Sequence, residues 1–70
     1  MQEYIIETSE DKGETWREIP GVIFKVTFED GKRCEYEAGY AEDAANAAKA
    51  RLEADEYTGL WDYRIRLREF

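Results

Sequence analysis

The chain of 70 residues has room for one domain with a small core, and its 17 acidic and 10 basic side chains give a net charge of −7. This charge disfavours general attraction to nucleic-acid phosphates. The single cysteine, Cys34, excludes an intramolecular disulfide, and the absence of histidine removes the commonest general base and a frequent zinc ligand.

No part of the sequence has the pattern of a targeting or membrane segment. Residues 1–6 lack the basic region and the long apolar run of a signal peptide, and no apolar run is long enough to span a bilayer. A lone cysteine suits a reducing compartment. We therefore expect one cytoplasmic domain over residues 1–70, with no membrane contact, no metal, no cofactor and no catalytic centre.

The first two strands, residues 4–8 and 15–19, are expected to flank a tight turn. The intervening segment Ser9–Trp16 reads S-E-D-K-G-E-T-W, which matches the pattern S-x-D-x-G-x-T-W of an Asp-box hairpin. Such a turn needs a short side-chain acceptor, here Asp11, and a residue that tolerates positive φ, here Gly13. The pattern therefore predicts a side-chain-stabilised hairpin turn.

Asp boxes are known from sialidases and other β-propeller enzymes, where they stabilise turns away from the catalytic centre. This chain resembles those proteins in the eight residues of the turn only. The resemblance implies the turn, and it implies neither the propeller fold nor glycosidase activity.

Residues 22–29 alternate between apolar and polar side chains, which is typical of a half-buried third strand, and Pro20-Gly21 is expected to separate it from the second. A three-residue loop, Glu29–Gly31, keeps apolar residues opposite each other in the next strand. Its pairs are Val26 with Cys34, Phe24 with Tyr36, Val22 with Ala38 and, on the outer face, Lys25 with Glu35. A two-residue loop would instead put Arg33 opposite Phe28 and Glu35 opposite Val26. Because that register places charges in the core, we predict the three-residue loop.

Residues 41–56 are rich in alanine and predict a helix whose first turn carries Glu42 and Asp43, which complement the helix dipole. Spacing of three and four residues gives this helix an apolar stripe of mostly small side chains. The stripe consists of Ala41, Ala44, Ala45, Ala48 and Leu52.

Residues 61–68 alternate again and predict a final strand. The order ββββαβ indicates an α+β fold, in which one Ala-rich helix packs on one face of a five-stranded antiparallel sheet. An antiparallel position beside the first or the third strand fits the chain direction of the last strand. We expect it beside the first.

Alternation places three arginines of the last strand, Arg64, Arg66 and Arg68, on the face of the sheet away from the helix. They can neutralise glutamates across the sheet or form an interaction surface, since arginine makes bidentate contacts and is enriched in interface hot spots. The candidate glutamates are Glu7, Glu18, Glu35 and Glu37.

A second candidate surface lies at the end of the predicted helix, where Glu53, Asp55 and Glu56 form an acidic group. Tyr40 and Tyr57 bracket the helix, and no strand pattern requires either of them. An acidic face of this kind can imitate nucleic acid and occupy a basic groove on another protein.

The overall order of elements in a compact, acidic and histidine-free chain is similar to that of small phage proteins that inhibit bacterial defence complexes, the anti-CRISPR-like proteins. This similarity implies a protein-binding inhibitor. We therefore expect a non-enzymatic protein-binding module whose partner is a protein, such as a nucleic-acid-binding complex or a second copy of the chain. The alternative is nucleic-acid or small-ligand binding through the exposed sheet face, with the three arginines as phosphate contacts.

Overall fold

The structure is a computed structural model that describes all residues, 1–70, and it has an α+β fold with one long helix. Its elements, in chain order, are β1 (Gln2–Ser9), β2 (Arg17–Val26), β3 (Phe28–Glu29), β4 (Lys32–Arg33), α1 (Glu35–Ala54), a single 3₁₀ turn (Thr58–Leu60) and β5 (Asp62–Glu69). The strands form two sheets. One has three strands in the order β2–β1–β5, and the other is the two-stranded hairpin β3–β4.

Helix α1 covers one face of the three-stranded sheet, as predicted. Its alanines Ala38, Ala41 and Ala45 are buried against Tyr4 of β1 and Val26 of β2, and these five residues form the core cluster. Since alanine side chains are short, the helix can lie close to the larger side chains of the sheet. The helix does not combine the length and the apolar character that a membrane span requires.

Strand β1 is the central strand, and its pairing with β5 is antiparallel and regular from Gln2↔Glu69 to Ser9↔Asp62. The expected position of the last strand beside the first is therefore confirmed. Ile5 and Ile6 in the middle of β1 are almost fully buried, and their side chains lie on opposite faces of the sheet.

The prediction that Pro20-Gly21 separates two strands is wrong, because β2 continues through them. Glu7 pairs with Glu18 and Ile5 with Ile23, so Ile6 alone lies opposite four residues of β2. Gly21 has a φ of +79°, a conformation that glycine adopts without strain. The missing N–H of Pro20 is tolerated because β2 is an edge strand.

The predicted three-residue loop is also wrong. Asp30 and Gly31 form a two-residue turn with φ values of 50° and 75°, as in a type I′ hairpin, and Phe28 pairs with Arg33. This register is accommodated because β3 and β4 stop after two pairs and stay apart from the main sheet. The half-buried guanidinium of Arg33 donates to the hydroxyl of Tyr4. The five-stranded sheet is therefore corrected to a three-stranded sheet and a separate hairpin.

Helix α1 begins at Glu35, six residues before the predicted start, and ends at Ala54 rather than Glu56. Consequently Tyr36 and Ala38 are helical and pair with no strand, and Lys25 lies opposite Glu3 instead of Glu35. The alternation after Cys34 satisfied a strand pattern, but Ala38 also extends the helical stripe of Ala41 and Ala45 toward the N-terminus. Burial of Ala38 against the sheet favours the helix.

Candidate functional site

The turn between β1 and β2 is held together by side-chain hydrogen bonds to Asp11. Its Oδ1 accepts hydrogen bonds from the hydroxyl of Ser9 (2.7 Å) and the backbone N–H of Thr15 (2.9 Å), and its Oδ2 accepts one from the hydroxyl of Thr15 (2.5 Å). Gly13 has a φ of +88° and donates its N–H to Ser9 Oγ, and Trp16 Nε1 donates to the carbonyl of Gly13. Both carboxylate oxygens of Asp11 are therefore used within the turn.

These hydrogen bonds stabilise the charged form of Asp11. The hydroxyl and then the backbone N–H of Thr15, followed by the hydroxyl of Ser9, lower the pKa of Asp11 to about 2. The group is a permanent anion near neutral pH, so it cannot serve as a proton donor there.

The arginines of β5 lie on the face away from the helix, as predicted, and all three are paired within the chain. Arg64 Nε donates to Glu7 Oε1 at 2.8 Å, and Arg66 Nη1 donates to Glu7 Oε2 at 3.3 Å. Arg68 forms ion pairs with Glu3 and, at 2.5 Å, with Glu18.

Two of the four predicted partners, Glu7 and Glu18, thus pair with the arginines, whereas Glu35 and Glu37 lie on α1. Glu3 was missed. The available signal was the alternation of Glu3, Ile5 and Glu7 along β1. This alternation puts both glutamates opposite arginines once β1 and β5 are placed side by side.

The glutamate side chains of β1 lie beneath the longer arginine side chains, and only 7% of Glu7 is exposed. Burial raises the pKa of Glu7, but the hydrogen bond and charge of Arg64, followed by those of Arg66, outweigh it, so this pKa lies below its ordinary value. The guanidinium of Arg64 also lies 4.2 Å above the ring of Trp16. The face is therefore a nearly neutral ion-pair network.

The acidic residues at the end of α1 are also engaged, apart from Glu56. Glu53 forms an ion pair with Lys49 at 3.2 Å. Asp55 Oδ1 accepts hydrogen bonds from the backbone N–H groups of Tyr57 and Thr58, which lower the pKa of Asp55 in that order. Asp55 therefore holds the backbone of the segment between α1 and the 3₁₀ turn, a role that sequence reasoning did not assign. The ring of Tyr57 is exposed.

The first half of α1 carries two exposed aromatic side chains that touch each other. The rings of Tyr36 and Tyr40 are 4.9 Å apart between centroids and nearly perpendicular, and their hydroxyl oxygens lie 3.0 Å apart. Tyr36 is 74% and Tyr40 60% exposed. Tyr40 was a predicted candidate, but Tyr36 was missed because it was placed on a strand; its four-residue spacing from Tyr40 was the available signal.

Two exposed acidic side chains flank this pair: Glu37 follows Tyr36, and Asp43 lies about one helical turn after Tyr40. Helix α1 carries no basic residue before Lys49. We call this region the acidic tyrosine surface. It consists of Tyr36, Tyr40, Glu37 and Asp43. No ion pair within the chain neutralises its two carboxylates; Glu35, at the start of the helix, is 3.5 Å from Arg33.

An apolar hollow with a volume of about 340 Å³ lies between the bulged part of β2 and the end of α1. Ile19, Pro20, Leu52 and Trp61 line it, together with the buried residues Thr8 and Tyr63. The hydroxyl of Tyr63 donates to the carbonyl of Thr58, and that of Thr8 to the carbonyl of Asp62.

Comparisons with protein-family models, with curated proteins and with solved structures find no match to this chain.

Proposed function

We propose that this chain is a non-enzymatic protein-binding module that presents its acidic tyrosine surface to a basic groove on a partner protein. The observation that carries the proposal is the pair Tyr36 and Tyr40, two large, mostly exposed aromatic side chains that contact each other. Tyrosine supplies a large contact area at low entropic cost and is enriched in interface hot spots.

The support beneath this surface is a helix packed against the sheet. Tyr36 and Tyr40 lie one turn apart on a 20-residue helix whose opposite side is buried through Ala38, Ala41 and Ala45. A partner would therefore meet an already ordered surface and lose little free energy in ordering it.

The charge of the surface indicates the chemistry of the partner. Two carboxylates without an internal partner, Glu37 and Asp43, repel phosphates and attract lysine and arginine, as a nucleic-acid-binding groove would offer. The same charges disfavour a second copy docked surface to surface, because like charges would face each other. The likeness to small phage inhibitors of bacterial defence complexes implies a protein-binding inhibitor, and occupation of a basic groove is one way for an acidic surface to act as one.

Alternative binding through the sheet face has less support, because its arginines are already paired with Glu3, Glu7 and Glu18. The carboxylates with a lowered pKa are Asp11, Asp55 and Glu7. Each of them is held in an intramolecular contact, which supports a non-enzymatic role.

The test compares the double variant Tyr36→Ala/Tyr40→Ala with Tyr57→Ala, which removes an equally exposed tyrosine from outside the surface. Each protein is immobilised and used for capture from a bacterial lysate with quantitative mass spectrometry. We expect one protein to be captured by the parent and by Tyr57→Ala, and to be lost with the double variant. Capture that is unchanged in the double variant would overturn the assignment to α1.

A second experiment titrates the protein with a labelled DNA duplex and a labelled single strand at low salt. We expect neither to bind, because the surface and the whole chain are acidic. Tight binding that weakens steeply with salt would instead support the sheet face and refute the protein-binding proposal.

A further inference from the structure

Strand β5 forms an open edge of the three-stranded sheet. It pairs with β1 on one side only, and none of its residues from Tyr63 to Glu69 makes a backbone hydrogen bond on the other side. An edge of this kind presents unpaired N–H and C=O groups to any extended chain that approaches.

The two edges of the sheet differ in how readily another strand can pair with them. The edge strand β2 is interrupted by the bulge at Gly21 and by Pro20, which has no N–H to donate. By contrast, β5 is regular over its eight pairs with β1 and contains no proline or glycine. Only β5 offers a long, uninterrupted edge.

The side chains of β5 indicate what kind of strand would fit. Arg64 leans over Trp16, and Arg68 is held by Glu3 and Glu18, but Arg66 makes a single hydrogen bond, through Nη1, and 59% of its side chain is exposed. Its Nε and Nη2 are free to donate to a carboxylate. On the opposite face of the strand, Ile65 and Leu67 are only partly covered.

From this edge we infer a second interaction site, distinct from the acidic tyrosine surface: β5 accepts an extended segment of a partner protein as a fourth strand. The segment carries an acidic residue opposite Arg66 and apolar residues on either side of it. The acidic residue would pair with the free guanidinium donors, and the apolar neighbours would lie beside Ile65 and Leu67 on the other face.

The chain itself contains a strand of this chemistry on the inner side of β5. In β1, Glu3 and Glu7 lie opposite Arg68 and Arg64, and isoleucine lies between them. This pairing shows that a strand combining acidic and β-branched residues complements β5. A second copy of β5 would not, because antiparallel pairing on one face would put arginine opposite arginine.

The test is a titration of the isotope-labelled protein with a capped seven-residue peptide, followed by NMR. The peptide has a central glutamate flanked by two isoleucines and then by threonines. We expect chemical-shift changes along Asp62–Glu69, none along β2, and about tenfold weaker binding of a peptide with glutamine in place of the glutamate. A peptide with proline in place of one isoleucine controls for backbone pairing and is expected not to bind.

The variant Arg66→Gln is expected to bind the glutamate and glutamine peptides equally, whereas Arg17→Gln, which changes an exposed arginine elsewhere, is expected to behave as the parent. The peptide comparison on the unaltered protein does not depend on how well the variants fold. Three results would each overturn the inference. They are equal affinity of the parent for both peptides, shift changes confined to another surface, and self-association through β5 without peptide.

Discussion

The carboxylate of Glu7 accepts a hydrogen bond from Arg64 Nε at 2.8 Å while lying almost fully out of contact with solvent. The long side chains of Arg64 and Arg66 cover it, and both pair with it. An ion pair of this kind differs from one on an open surface, because removal of one partner leaves a covered charge without the opposite charge that compensated it.

We expect Glu7→Ala to destabilise the fold by about 2 kcal/mol, since it removes two charge-assisted hydrogen bonds from a covered site. Glu10→Ala is the matched control, because it breaks the solvent-exposed pair with Arg17 and is expected to cost no more than about 0.5 kcal/mol. Denaturant unfolding measures both. Similar losses for the two variants would show that the coverage of Glu7 has no energetic effect.

The pKa shift of Glu7 adds a pH dependence. Its pKa is lowered in the folded chain, so its contribution to stability is present above the ordinary value of 4.5 and is lost as the pH falls through the lower folded value. We therefore expect the stability of Glu7→Gln to fall less steeply with pH below about 4.5 than that of the parent.

The turn at Asp11 is expected to add a second acid-dependent step. Because its pKa is about 2 in the folded chain against an ordinary 3.8, its contribution is present above pH 3.8 and disappears as the pH falls toward 2. Asp11→Asn should flatten the stability profile in this window. An unchanged profile would mean that the hydrogen bonds to Asp11 do not persist in solution.

The backbone at Gly13 can be tested separately. We expect Gly13→Val to destabilise the fold by about 1–3 kcal/mol, because a β-branched residue is strained at a φ of +88°. The measurement is thermal or denaturant unfolding. A variant as stable as the parent would require a different turn conformation.

Two further glycines form a matched pair with opposite expected effects. A Cβ on Gly59 would lie 2.5 Å from the backbone carbonyl oxygen of Glu53, so Gly59→Ala should destabilise the junction between α1 and the 3₁₀ turn. A Cβ on the helical Gly39 would meet nothing within 4 Å, and Gly39→Ala should stabilise the fold by about 0.5–1 kcal/mol. The reverse order in unfolding experiments would contradict the path of the chain after α1.

The buried side of α1 has its own test. We expect Ala45→Leu to cost about 1–3 kcal/mol, because Ala45 is fully buried against the sheet and the larger side chain would overpack the core. Ala47→Leu, at an exposed position of the same helix, should change stability by less than about 0.5 kcal/mol. Comparable losses would indicate that the helix is rotated about its axis.

Sequence patterns predicted what depends on neighbouring residues. The hydrogen-bond acceptor Asp11 and the positive φ of Gly13 lie within a short turn, and the alternation of β5 follows from its own residues. The helix was predicted for the same reason, since alanine favours helix and the three- and four-residue spacing of the alanines is a property of the segment itself.

Features that depend on tertiary contacts could not be predicted in the same way. The segment after Cys34 satisfied both a strand and a helix pattern, and only the packing of Ala38 against the sheet distinguishes them. The loop register was chosen by assuming that Phe28 must enter the core, whereas the hairpin remains outside it. At the candidate surface, Tyr36 was missed as a direct result of the strand assignment.

The position of β1 between β2 and β5 has a consequence for the folding reaction. The pairs between β1 and β5 join opposite ends of the chain, so the entropic cost of closing nearly the whole sequence into one loop must be met before β1 is paired on both sides. The hairpins and α1 can form beforehand from local contacts. The rate of folding should therefore be governed by the encounter of the two chain ends, and a permuted chain with β5 placed directly before β1 should fold faster.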